Sequence, residues 1–260
     1  MLARSGHSAR RENRGTRSRS RRIGSELRSE IHSAQRTRAL DTYDPERCTT
    51  LLRKFAVNGT WQTPTLFLNT REVRRPDLLE EVRERLRWVP DRQRTEWEAW
   101  TKRVSGLKPD ATVALKRHAD WEAQLVRRMN EERVGLLAGT DVATDWTVPG
   151  VALHDELSAL VEAGLTPLEA LRTATLNPAR YFEKTNEFGS VAKGLLADLV
   201  LIDGDPLADI RNTRRISAVV SNGRYLDRPA LDVLLANAER LARSGKHDEI
   251  HRPRPGRALK

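Results

Sequence analysis

Two short apolar runs, TWQTPTLFLN at 60–69 and VGLLAG at 134–139, constrain this chain most, because long segments of helical period stand between them. A tight turn joins only antiparallel neighbours, whereas strands linked through a helical crossover pair in parallel. The first run is rich in β-branched and aromatic residues and the second is wholly apolar. Together they predict neighbouring parallel strands in an α/β fold, the second buried on both faces.

The helical segments carry recognisable ends. DPERCTTLLRKFAVNG, 44–59, places Leu51, Leu52, Phe55 and Ala56 on one face and stops at Asn58-Gly59. Residues 77–104 are charged and helical in pattern, and Pro90 divides them. In 110–132, Trp121, Leu125 and Met129 recur every four residues. Beyond Pro149-Gly150, ALHDELSALVEAG reads as a helix closed by Gly164. The next helix opens with Thr166 as N-cap, Pro167 at N1 and Glu169 at N3, a capping box that runs until Asn177-Pro178 disturbs it. From Phe188 the period shortens to apolar strands between Gly, Asp, Asn and Pro, which predicts a small β unit, followed by a last amphipathic helix and a basic tail. The expected division is a basic arm at 1–38, an α/β part at 39–187, a β unit at 188–228, and a helix with its tail at 229–260.

Charge is concentrated at one end. Residues 1–40 hold eleven Arg, no Lys and three Glu, so most of the chain's net +10 lies there. A segment such as RRENRGTRSRSRRIGS buries too little apolar area to offset the entropy of ordering it, and it reads as a disordered arm. Arg-Ser alternation can contact phosphates, but a solvated tail is the plainer reading, and nucleic acid is not the expected partner. Cys48 is the only cysteine, which excludes an intramolecular disulfide and a cysteine metal cluster. No apolar run reaches the roughly 18 to 20 residues a membrane span needs. The expected setting is cytoplasmic.

Candidate chemistry gathers after VGLLAG, where Gly139, Thr140 and Asp141 follow the apolar run. Loops converge at the carboxyl ends of parallel strands, so an acid there is placed for catalysis. Gly139 permits close backbone approach, and Thr140 sets a hydroxyl beside the acid. An aspartate capping the following turn or helix fits the same residues. HDEIH at 247–251 pairs two histidines at i, i+4, but its polar, Pro-broken surroundings read as a tail.

AGTD at 138–141, PGVALHDELSALVEAGLTPLEALRTATLNPARYF at 149–182 and GSVAKGLLADLVLIDGDPLADIRNTRRISAVVSNGR at 189–224 together resemble the carboxyl-terminal part of the amidohydrolase superfamily. The imidazolonepropionase-like enzymes look like the nearest branch, and the resemblance runs from about Cys48 to about Leu226. It implies a partial TIM-type barrel, comprising its last strands and helices, with part of a small carboxyl-terminal β-sandwich. It also implies a metal-dependent hydrolase of non-peptide carbon–nitrogen bonds, such as those of cyclic amides or imides. By the same resemblance Asp141 is the strand-eight carboxylate that contacts a divalent metal, zinc by expectation, and takes the proton from its water. Thr140 and His154 are implied near the substrate, a small amide-type molecule; for His154 a surface or core-edge histidine remains the alternative.

The departures are equally specific. The family carries a His-x-His pair on its first strand, a bridging ligand on its fourth and single histidines on its fifth and sixth. Here no two of His7, His32, His118, His154, His247 and His251 are separated by one residue. One carboxylate does not hold zinc against water, because catalytic sites supply about three protein ligands. Catalysis by this chain alone is therefore not expected. A second copy, or a separate amino-terminal half, would complete the barrel by pairing with exposed strand edges. The alternative is a non-catalytic remnant, or an interaction protein that binds acidic partners through the basic arm.

Overall fold

A computed structural model of the 260-residue chain describes residues 34–68, 84–105, 109–142, 144 and 146–244. The expected arm, apart from a helical stretch at 34–41, lies outside the described residues, as does HDEIH.

Helix α1, Pro45–Val57, starts where Asp44 accepts the amides of Glu46 and Arg47, and Pro45 occupies the first turn, where its missing N–H costs nothing. Its buried face is the row Cys48, Leu52, Phe55 and Ala56. Leu51, expected there, is exposed at the margin of that stripe. Strand β1 is only Trp61–Gln62. The longer strand expected over 60–69 is cut short because Pro64 has no N–H for a ladder and Thr65 adopts φ +50°, which turns the chain into a helical stretch at 66–68. A 3-10 helix at Glu84–Trp88, the Pro90 break and α2, Asp91–Ser105, follow the pattern read from 77–104 as far as it is described. Helix α3, Pro109–Glu131, buries Ala119, Val126 and Met129, while Trp121 and Leu125 are half-buried.

Strand β2, Gly135–Leu136, pairs in parallel with β1, Trp61 opposite Gly135 and Gln62 opposite Leu136, as the crossover predicted. The Trp61 indole lies over Gly135 so closely that a Cβ there would stand 2.5 Å from the ring. Each outer edge of the pair is blunted. Thr173 O accepts the Ala138 amide at 3.0 Å and Asn177 Nδ2 donates to Leu136 O at 2.9 Å, so the edge of β2 is covered, contrary to the expectation of an exposed one. On β1, Gln62 Nε2 donates to Trp61 O.

Helix α4, Val151–Glu162, ends before Gly164, whose φ of +113° only glycine adopts without strain. Helix α5, Pro167–Ala174, has the complete Thr166–Glu169 capping box. It gives way to α6, Leu176–Tyr181, at Thr175, because the ring of Pro178 excludes a continuous helix through the carbonyl four residues earlier. The main core joins α1, α3, β2, α4, α5 and the 66–68 turn, with Leu160 and Ala170 wholly buried. A second cluster holds Val89, Trp97, Trp146 and Val148.

Strands β3, Leu199–Ile202, β4, Ile216–Ser221, and β5, Arg224–Leu226, form an antiparallel sheet in that order. Asn222 and Gly223, both at positive φ, make its tight hairpin, and Asp198 accepts the Asn222 amide at 2.7 Å. A 3-10 helix at Ile210–Arg214 packs against α4, and α7, Arg228–Ser244, packs against β4 and the 84–88 helix. No described helix is long and apolar enough to cross a membrane.

Candidate active site at the carboxyl ends of the parallel strands

The loops leaving β1 and β2 lie side by side. Leu137 N donates to Gln62 O at 2.9 Å, which carries the pairing one residue past the strands. Gly139 then meets Thr63, whose methyl would stand 2.3 Å from any Cβ at 139; Thr65 Oγ1 would be at 3.9 Å. Here glycine serves close approach, as its position suggested.

Thr140 is half-buried, and Asp141 is exposed with φ +47°. The Asp141 carbonyl accepts the Thr144 amide at 3.0 Å and closes a turn. Its carboxylate does not cap α4, whose N-cap position is Gly150. The loop is anchored further on: Trp146 Nε1 donates to Thr101 Oγ1 at 2.9 Å, and its ring packs on Trp97 with centroids 5.6 Å apart.

Three consecutive residues of α4 reach three different parts of the molecule. His154 Nδ1 lies 3.0 Å from Thr213 Oγ1, and that hydroxyl donates its one proton to Ile210 O at 2.8 Å, so Nδ1 carries the imidazole proton in the pair. Burial, then the charge of Arg214, lowers the His154 pKa, with Asp155 opposing and Arg85 assisting. The ring is therefore neutral near pH 7, and it faces the β unit. No hydrogen bond among the described residues joins it to Thr140 or Asp141. Asp155 takes Arg214 at 2.7 Å and Arg85 at 3.2 Å. Glu156, 0% exposed, accepts the Phe67 amide at 2.9 Å and the Leu66 amide. Sequence reading passed over Asp155 and Glu156. A signal for Glu156 was present, because it sits in the apolar row of Ala152, Leu160 and Ala163.

The metal that the resemblance implies needs about three protein donors. Among the described residues no group of three His, Cys, Asp or Glu side chains is placed to hold an ion, so this donor set does not fit it. A cleft of about 460 Å³ opens instead at the amino ends of β1 and β2, lined by Trp61, Arg133, Arg172, Asn177 and Arg180 among others; Asp141 is not part of it.

Residues 67–226 match the model of the Amidohydrolase family. An adenine deaminase of Rubrobacter xylanophilus is 40% identical over 116 residues, covering 44% of this chain and 18% of its own length. The ochratoxinase of Aspergillus niger is 28% identical over 131 residues, covering 48% and 26%. A solved bottromycin amidohydrolase shares the fold, with a TM-score of 0.53 and 23% identity over 70% of this chain and 40% of that one. The family match spans well over half of the sequence, and the chain belongs to the amidohydrolase family. It covers only about a fifth to a quarter of the length of these two curated relatives.

Proposed function

We propose that this chain supplies the closing part of a hydrolase of non-peptide carbon–nitrogen bonds, with Asp141 as its proton-transferring carboxylate. On this reading β1 and β2 are the last strands of a (β/α) barrel, α4 to α6 follow them within the 39–187 unit, and 188–228 is part of a β-sandwich. The observation that carries it is the place of Asp141, two residues beyond the Gly139–Thr63 contact, at the carboxyl ends of a parallel pair within the family match.

A carboxylate there accepts a proton from a water attacking the carbonyl or ring carbon, and returns it to the nitrogen as the C–N bond breaks. Being exposed and free of hydrogen bonds to described side chains, Asp141 is open to such a water, and Thr140 stands beside it to orient a small amide-type substrate. His154, bonded to Thr213, holds α4 to the β unit and acts on substrate at most indirectly. A divalent metal would activate the water when bound, with ligands drawn from outside the described residues, whether elsewhere in this chain, in a second copy or in an amino-terminal half.

The relatives' names direct the test toward adenine and ochratoxin. Hydrolysis by the chain supplied with candidate amino-terminal halves should be lost at least about a hundredfold in Asp141→Asn. Equal rates in the two would remove Asp141 from the chemistry. A second reading, a non-catalytic interaction protein, is favoured by the lack of a ligand cluster among the described residues. It predicts no turnover with any complementing half, and acidic partners retained through the basic arm.

A further inference from the structure

Glu156 is a wholly buried carboxyl group that the proton chemistry above does not use. Its Oε2 accepts the Phe67 amide at 2.9 Å and the adjacent Leu66 amide also favours the charged carboxyl, while Oε1 is buried with no hydrogen-bond partner. Those amides open the helical turn at 66–68, where the first N–H groups have no carbonyl four residues back to satisfy them. Glu156 caps the turn from 89 residues away along the chain. Leu66 and Phe67 are themselves core residues, so the turn is held by packing and by the cap together.

The same loop presses on the candidate site from its other side. The Thr63 methyl, just before the turn, fills the space where a side chain at Gly139 would stand, and Thr65 Oγ1 would lie at ordinary contact distance, 3.9 Å, from it. Gly139 precedes Asp141 by two residues. A continuous line of contacts thus runs from α4 through 66–67 and 63–65 to the strand end that presents Asp141.

We propose that Glu156 is a positioning residue: by capping the 66–68 turn it seats the Thr63 methyl against Gly139 and so sets where Thr140 and Asp141 stand. The proposal gains its functional meaning from the reading of Asp141 as the working carboxylate, but the line of contacts does not depend on it. Burial holds the carboxyl pKa at about 7 against the pull of the two amides, so near neutrality the group is present in both forms, each with an acceptor oxygen for the turn.

The test uses the full chain, amide hydrogen exchange and amide chemical shifts, and no substrate. Glu156→Gln keeps an acceptor oxygen; Glu156→Leu keeps the bulk and removes it. Exchange at Leu66 and Phe67 should stay slow in Glu156→Gln and quicken by about tenfold or more in Glu156→Leu. The resonances of Gly139, Thr140 and Asp141 should move only in the leucine variant, and the amides of Ala218 and Val219 in neither. Unmoved site resonances in a folded Glu156→Leu, or equal loss of protection in both variants, would overturn the proposal. If Glu156→Leu does not fold, Thr63→Ser decides: removing the methyl against Gly139 should shift Asp141 while Leu66 and Phe67 stay protected, and an unshifted Asp141 would sink the idea. Should Asp141→Asn leave hydrolysis intact while these resonances behave as described, only the catalytic reading falls.

Discussion

At Glu156 burial and hydrogen bonding pull the carboxyl in opposite directions, and burial prevails: its pKa rises from 4.5 to about 7. Between those values the unfolded chain ionises while the folded one keeps its proton, so stability falls as pH rises through that window and levels off above it. Wild type should therefore lose roughly 2 to 3 kcal/mol relative to Glu156→Gln between pH 5 and pH 8, read from urea unfolding at each pH. Parallel pH profiles for the two proteins would contradict this. Gly139→Ala belongs to the same scale, since its Cβ would meet the Thr63 methyl at 2.3 Å. It should cost about 1 to 3 kcal/mol by the same measurement. Single residues were unevenly legible in the sequence. Asp141 at a strand end could be read because Gly-Thr-Asp directly follows an apolar run, but its exposure depends on which loops cover it. A glutamate in an apolar helical row could be noticed, whereas its partners, 89 residues away, are set by tertiary packing alone.

Elements were read best where their determinants are local. The capping box at Thr166–Glu169 lies within four residues and formed as read, with Glu169 Oε2 2.7 Å from the Thr166 amide. Thr166→Ala should lower stability by about 1 kcal/mol, seen as a reduced urea midpoint with an unchanged slope. Strand β1 was overread because its composition favours extension while Pro64 and Thr65 end it after two residues. The edge of β2 illustrates the opposite limit: nothing in VGLLAG announces that Thr173 and Asn177, on helices nearly forty residues further along, will cover it. Asn177→Ala would leave the buried-edge carbonyl of Leu136 without that donor and should cost about 1 to 3 kcal/mol. It should also raise the rate of aggregation at fixed protein concentration, which light scattering follows.

Across the whole molecule, α4 joins parts that are distant in sequence. His154 bonds to the 3-10 helix at 210–214, Asp155 bridges Arg85 and Arg214, and Glu156 holds the turn after β1. Asp155 and its two arginines are each less than a third exposed, so their pairing is only partly screened by solvent. The family membership was legible because ordered motifs from Asp141 to Arg224 are all written in the carboxyl-terminal half, and the family match over 67–226 agrees. What completes the site was not legible, since ligands for a metal would arrive from elements that VGLLAG and its neighbours do not specify. On the proposed reading the chain brings one carboxylate, Asp141, to a hydrolase site, and its described residues hold no three-ligand set for a metal. Zinc content of the purified, dialysed full-length chain, determined by elemental analysis, tests this most directly. Far less than one ion per chain, unchanged in Asp141→Asn, is the expected result; one retained ion per chain that disappears in Asp141→Asn would contradict it.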